Sequence, residues 1–151
     1  MAVGRRVLSY VAVAGIGHFA WEVAQLSLYT IWWTGPTRDI VVAAIHCTLG
    51  DLLITVCTLV IAGLIAHGLG WRRFGVGTLL AAIVLGIAYT VFSEWLNVEV
   101  RRSWSYSAGM PVLLWLGTGL SPVLQWLVVP GVAAILTFGW ETSLMGLIRR
   151  R

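Results

Sequence analysis

The stretch VLSYVAVAGIGHFAWEVAQLSLYTIWW, residues 7–33, is apolar over most of its length yet carries His18, Glu22 and Gln25 in its middle. A bilayer core about 30 Å thick needs about 20 helical residues to cross it, so this stretch can form a membrane span. It is longer than the roughly 7–15-residue apolar core of a secretory signal peptide. We therefore expect the first segment to remain in the protein as a transmembrane helix.

Three more apolar stretches follow, and hydrophobic residues make up 59% of the chain while charged residues make up 11%. Soluble domains average about 25% charged residues, so the composition excludes an ordinary soluble fold. Short turn-rich connections separate the first three stretches, which favours antiparallel neighbours. We predict one all-α domain over residues 1–151, an integral membrane four-helix up-down bundle with helices at about 7–33, 40–67, 76–96 and 122–148.

The ten basic residues are all Arg, and they lie at the ends of the apolar stretches. One side of a four-span topology holds Arg5, Arg6, Arg72, Arg73 and Arg149 to Arg151, and the other holds Arg38, Arg101 and Arg102. The side richer in Arg is expected to face the cytoplasm, which places both termini there. This topology accounts for the net charge of +4, so we expect no nucleic-acid partner. The absence of Lys is typical of an Arg-rich bacterial coding bias, so we expect a multi-pass protein of a bacterial cytoplasmic membrane.

Polar residues recur along single faces of the predicted helices. On the first, His18, Glu22, Gln25 and Tyr29 follow spacings of four, three and four, which align them on one face. The third repeats these spacings at Thr90, Glu94, Asn97 and Arg101. Placing a charged side chain in hydrocarbon costs on the order of 2.5–3.5 kcal/mol on insertion scales. The recurrence therefore indicates a buried polar site between the helices.

The second and fourth helices complete this site. His46 and Asp51 are five residues apart, about 140° around a helix, so only one of them can point straight inward. The fourth helix is expected to begin at Ser121 and Pro122 as N-cap and first helical residue, and it carries Gln125 and Trp126. Counted from the helix ends at about 1.5 Å per residue, the site is a funnel open to the outer side. Its predicted floor is His18, Glu22 and Asp51, and its rim is Glu94, Asn97 and Gln125.

The connection at residues 98–121 is aromatic and turn-rich, with Trp104, Tyr106 and Trp115. Two interpretations remain open for this outer loop. It folds over the mouth of the helices as a lid, or it forms an aromatic belt at the membrane interface.

Short motifs in this chain resemble the emopamil-binding family of sterol isomerases, the EXPERA-domain membrane proteins. The segment Gly17-His18-Phe19-Ala20-Trp21-Glu22 resembles that family's His-x-x-x-Glu helix, and residues 126–131 are similar to its Trp segment before a Pro-Gly. The resemblance implies that His18, Glu22 and Trp126 line a pocket, together with Glu94. The chain differs from the family pattern at Val123, where an Asn is expected, and it has no Glu in the second helix.

An acid-base function follows from these residue types. A carboxyl group in an apolar cavity favours its neutral form, so Glu22 or Asp51 could donate a proton to an alkene. The rings of Trp21 and Trp126 could stabilise a carbocation through cation–π attraction. We predict binding of an apolar or amphipathic small molecule, an isoprenoid or sterol-like lipid, with isomerisation that needs no cofactor. The predicted catalytic residues are His18, Glu22, Asp51 and Glu94, and the predicted substrate-binding residues are Trp21, Gln25, Tyr29, His46, Asn97, Gln125 and Trp126.

Two alternatives remain open. Two His and three carboxyl groups also form a plausible ligand set for a divalent metal or, through the His pair, a haem. The residues in that case are His18, Glu22, His46, Asp51 and Glu94. In the other alternative, these groups only form hydrogen bonds between helices of a structural membrane subunit. Membrane lipid is the expected partner, and homo-oligomerisation is left open.

Overall fold

The computed structural model describes residues 2–70 and 75–139, most of which are helical. The helices are α1 (Ala2–Gln25), a 3₁₀ turn (Leu26–Leu28), α2 (Ile31–Thr34), α3 (Thr37–Gly68), α4 (Val76–Trp95), a π-helical turn (Leu96–Val100) and α5 (Leu120–Phe138). A short antiparallel hairpin, β1 (Val112–Leu113) and β2 (Thr118–Gly119), precedes α5 directly.

Four of the described helical segments are long and apolar enough to cross a membrane, at residues 4–28, 37–68, 76–100 and 120–138. Helix α1 packs on α3 and α5, and α4 packs on the same two helices. The four long helices therefore surround a common interior. The prediction of a helical chain with four apolar spans is confirmed; the part of the fourth predicted span beyond residue 139 lies outside the described residues.

The distribution of side chains fits a lipid environment. Small and polar residues fill the interior, with Ala14, Ala62 and Ala66 fully buried. Large apolar residues point outward, and Leu53 and Leu64 are about two-thirds exposed. Helix association in a membrane depends on close packing of small residues and on interhelical hydrogen bonds, because lipid tails are as apolar as leucine. The four long helices follow this pattern.

Three glycines permit the closest helix contacts. A Cβ at Gly86 of α4 would lie 2.0 Å from the Cε3 atom of Trp126, and one at Gly17 of α1 would lie 2.8 Å from Val129. A Cβ at Gly15 would meet Leu52 of α3 at 3.0 Å. The indole of Trp126 therefore packs directly on the α4 backbone at Gly86, and an added methyl group would have no space there.

Helix ends differ from the sequence prediction in three places. Helix α1 ends at Gln25 rather than near residue 33, because the chain turns and the backbone N–H of Thr30 donates to Ser105. A π-helical turn starts at Leu96, closed by a 2.8 Å hydrogen bond from the N–H of Arg101 to the Leu96 carbonyl. Ser121 is not the N-cap of α5, because Gly119 occupies that position and the Ser121 hydroxyl bonds elsewhere.

Substitution at Gly86 tests the α4–α5 contact. We expect Gly86→Ala to lower the stability of the protein in detergent by about 1–3 kcal/mol, the usual cost of overpacking. The matched control is Gly63→Ala in α3, where nothing lies within 4 Å of the new methyl group. Thermal denaturation in one detergent compares the two variants. A Gly86→Ala variant as stable as Gly63→Ala would contradict the packing described here.

Candidate functional site

His18 lies in the middle of a polar cluster between α1, α3 and α5, and its side chain is fully buried. Its Nδ1 atom is 3.0 Å from the Gln125 amide nitrogen, and its Nε2 atom is 3.3 Å from the Thr55 hydroxyl. Since the amide nitrogen can only donate, Nδ1 accepts and the ring proton is placed on Nε2. This arrangement describes a neutral His18 whose tautomer is set by its two partners.

Two carboxyl groups meet beside His18. Asp51 of α3 accepts a hydrogen bond from Gln125 at 2.7 Å, and its Oδ2 atom is 3.7 Å from Nδ1 of His18. The Glu22 carboxyl lies within hydrogen-bonding reach of Asp51, and it also accepts from Gln25 at 2.8 Å. Two ionised carboxylates in contact repel each other, so such a pair is stabilised by one shared proton.

Amides and hydroxyls complete the cluster. The Gln25 nitrogen donates to Glu22 and, at 3.3 Å, to the Gln125 carbonyl. The Gln25 carbonyl accepts from Ser121 at 2.8 Å, and the Ser121 oxygen accepts from the Trp21 indole at 3.2 Å. This chain of hydrogen bonds links α1 to α5 and satisfies both the nitrogen and the oxygen of the Gln25 amide.

A second polar cluster lies where the loop at residues 101–119 meets α4. The hydroxyls of Tyr29 and Tyr106 both donate to the Glu94 carboxyl, from Tyr29 at 3.4 Å. The Tyr106 oxygen also accepts from the backbone N–H of Gly119 at 2.9 Å. Burial first, and then the bond to Glu94, raise the pKa of Tyr106, so its phenol remains a donor at neutral pH. The loop therefore attaches to α4 through a carboxyl group.

Two tryptophans bring indole nitrogens to these carboxyls. The Trp126 side chain is 2% exposed, and its ring centroid lies 5.2 Å from that of His18. Its Nε1 atom is close to Asp51 without meeting hydrogen-bond geometry, and the Trp104 Nε1 atom is similarly placed near Glu94. Both nitrogens are buried without a hydrogen-bond partner in the described part of the chain. A small movement or a bound group would give each donor an acceptor.

Most of the predicted site residues come together in these two clusters. The first contains His18, Trp21, Glu22, Gln25, Asp51, Gln125 and Trp126, and the second contains Tyr29 and Glu94. The side chain of His46 is exposed on α3, whereas Asp51 faces inward. Asn97 donates to the Ser93 carbonyl at 2.8 Å within its own helical segment, because the π-helical turn carries it out of the α4 stripe.

The funnel geometry is wrong for Gln125. Its side chain does not lie at a rim but contacts His18 and Asp51, and it is 1% exposed. Depth counted from helix ends assumes that all helices end at one level, whereas the loop covers the start of α5.

The metal alternative finds no support in the geometry. Within residues 2–70 and 75–139, no three His, Cys, Asp or Glu side chains are arranged so that they could hold one metal ion.

Sequence reasoning missed the roles of Tyr106 and Ser121. Tyr106 lies in a loop, where no helical spacing relates it to Glu94, although it is one of few polar aromatic residues in that loop. Ser121 looked like a helix cap, yet its hydroxyl links Trp21 and Gln25. Thr55 follows Asp51 by four residues and so shares its helix face, but its bond to His18 could not be read from one helix alone.

An apolar groove of about 420 Å³ runs along the outer surface of α1 and α3. It is lined by Leu8, Val11, Ala12, Gly15, Ile16, Phe19 and Leu52. Phe19 and Leu52 follow His18 and Asp51 in the sequence, but no residue of the first cluster lines the groove.

No protein-family model, curated protein or solved structure matches this chain.

Gln125 is the residue whose loss should disturb the first cluster most. In Gln125→Leu, His18, Asp51 and Gln25 each lose a partner from α5, and a buried group left unpaired typically costs about 1–3 kcal/mol. We expect a clear loss of thermal stability in detergent. Thr48→Val is the control, because the Thr48 hydroxyl donates to the Ala44 carbonyl of its own helix, at 2.7 Å, and makes no bond between helices in the described part of the chain. Equal stability of the two variants would exclude a cross-linking role for Gln125.

Proposed function

We propose that this chain is a multi-pass membrane protein that binds an apolar or amphipathic small molecule and isomerises it by proton transfer at Glu22 and Asp51. The contact between these two carboxyl groups, beside His18 and Gln125, is the observation that carries the proposal. An isoprenoid or sterol-like lipid fits as substrate, in agreement with the resemblance of residues 17–22 and 126–131 to the EXPERA-domain isomerases.

The chemistry needs no cofactor. One carboxylic acid of the pair donates its proton to an alkene carbon, and the other, ionised, removes a proton from a neighbouring carbon. The double bond moves, while the number of protons on the substrate stays the same. After the step the donor is ionised and the acceptor is protonated. The acceptor then loses its proton to water and the donor takes one up, which restores the starting state and brings solvent deuterium into the substrate.

The surroundings support an apolar substrate. The groove along α1 and α3 is lined by aliphatic residues and Phe19, and it faces lipid rather than water in a membrane. A lipid bound in this groove would lie against Phe19 and Leu52, each adjacent in sequence to a residue of the first cluster. The Trp126 ring lies beside His18, so positive charge that develops on a substrate at the cluster would be near an aromatic ring, and the buried indole N–H could bond a hydroxyl head.

A purely structural role is the second candidate, favoured by the nearly complete hydrogen bonding of the first cluster. Interhelical hydrogen bonds of this kind average about 0.6 kcal/mol in membranes, and neutral side chains can form them. Two carboxyls in contact contribute less to stability than two amides would, because one must hold a proton. Proton exchange gives the acids a role that amides cannot replace.

We further propose an up-down bundle in a bacterial cytoplasmic membrane with both termini in the cytoplasm. The Arg distribution supports this orientation. The second cluster and the loop at residues 101–119 then lie on the outer side, and the carboxyl pair lies in the outer half of the membrane.

Deuterium incorporation tests the proposed reaction. The purified protein is incubated in D2O with a total lipid extract, and mass spectrometry finds any lipid that gains deuterium. We expect Glu22→Gln and Asp51→Asn to slow incorporation about 100-fold or more, a typical contribution of general acid-base catalysis. The double variant should be no slower than either single variant, because the two groups act as one unit.

Glu99→Gln is the control for the loss of a carboxyl group, because Glu99 is exposed on the π-helical turn. It should behave as the wild type. If no lipid gains deuterium with the wild type, or if both active-site variants match Glu99→Gln, the isomerase proposal fails.

Labelling tests the orientation. In a chain with Cys47 and Cys57 replaced by Ser, Ala108→Cys in the exposed part of the loop should react with a membrane-impermeant thiol reagent added to whole cells. A cytoplasm-dependent reporter fused after Arg151 should be active. Labelling that requires cell lysis, together with an inactive reporter, would show the inverted orientation.

A further inference from the structure

The tip of the β1–β2 hairpin, residues 114–117, carries two almost completely exposed apolar side chains. Leu114 is 93% exposed and Trp115 is 96% exposed, more than any other large apolar residue in the described chain. Leu116 beside them is 50% exposed. Exposing a Leu-Trp-Leu sequence to water is unfavourable, so the tip is a candidate for contact with an apolar environment.

The fold holds the tip in place. Two backbone N–H groups, those of Leu116 and Gly117, donate to the Leu113 carbonyl at 2.9 Å, and Gly117 adopts a φ of 63° that closes the turn. At the base of the hairpin, Thr118 is fully buried and Met110 is 6% exposed. The projecting side chains therefore stand on an anchored base.

The position of the hairpin relative to the helices indicates what surrounds the tip. Val112 pairs with Gly119, and the next residue, Leu120, begins a helix able to cross a membrane. No charged residue occurs from Ser103 to Phe138. Helix α5 continues the apolar surface with Leu124, Leu127 and Val128, which are exposed on one face. The tip thus lies at the level where a membrane span begins and next to a lipid-facing surface.

We propose that residues 114–117 insert into the lipid leaflet at this end of the helices, with Leu114 and Trp115 at the boundary between headgroups and acyl chains. Tryptophan favours this boundary because its ring is apolar while its N–H can reach water or headgroups. The tip offers no charged side chain, and the Trp115 indole is its one polar side-chain group. A lipid leaflet requires no more than that, whereas a specific protein partner is normally recognised through additional polar contacts.

Site-specific fluorescence tests the insertion in the full-length chain. With Cys47 and Cys57 replaced by Ser, Leu114→Cys is labelled with an environment-sensitive fluorophore, and the protein is reconstituted in phosphatidylcholine vesicles. Quenching by a spin-labelled phosphatidylcholine reports lipid, and quenching by iodide reports water. The lipid reference is native Cys57, exposed on α3, in a Cys47→Ser chain, and the water reference is Arg38→Cys at the start of α3.

We expect the Leu114 label to be quenched by the spin-labelled lipid nearly as strongly as the Cys57 label, and to be protected from iodide relative to the Arg38 label. Adding Trp115→Asp should reduce quenching by the lipid, because a carboxylate is unfavourable at that depth. Iodide quenching equal to that at Arg38 would place the tip in water and overturn the proposal. Protection from both quenchers would also overturn it, since protein, such as a second copy of the chain, would then cover the tip.

Discussion

Water is absent from the core of a bilayer, so every polar side chain there must find its partners within the protein. The first cluster follows from this constraint. The side-chain amide of Gln125 donates its two N–H groups to His18 and Asp51, and its carbonyl accepts from Gln25. One residue on α5 thereby fixes a histidine tautomer, one of the two carboxyls and a neighbouring amide, which ties α5 to both α1 and α3.

Close helix contact is what makes these hydrogen bonds possible. Distances near 3 Å between side chains on different helices require backbones that approach each other, and small residues allow this. Val129 of α5 packs against Gly17, and the ring of Trp126 packs against Gly86. The glycines and the polar residues therefore depend on each other: the former bring α1, α4 and α5 together, and the latter hold them in register.

Sequence spacing was sufficient where the information lay on one helix. The intervals between His18, Glu22 and Gln25 place all three on one face, and they are buried together. The five-residue separation of His46 and Asp51 correctly allowed only one to face inward. Spacing failed wherever a prediction depended on the relative height of two helices or on backbone outside the α-helix. Gln125 lies deeper than its distance from the helix start suggested, and the π-helical turn removes Asn97 from its stripe.

The two clusters use carboxyl groups in different ways. Glu94 accepts from two phenols and joins the loop at residues 101–119 to α4, so a neutral acceptor such as an amide carbonyl could have formed a similar anchor. Glu22 and Asp51 face each other, and a pair of acids in contact is a costly way to join two helices, since one proton must be retained. Contact between two carboxyl groups favours one retained proton in the first cluster, whereas the second cluster only requires an acceptor. The proposed function therefore assigns proton transfer to Glu22 and Asp51, while Glu94 attaches the loop to α4.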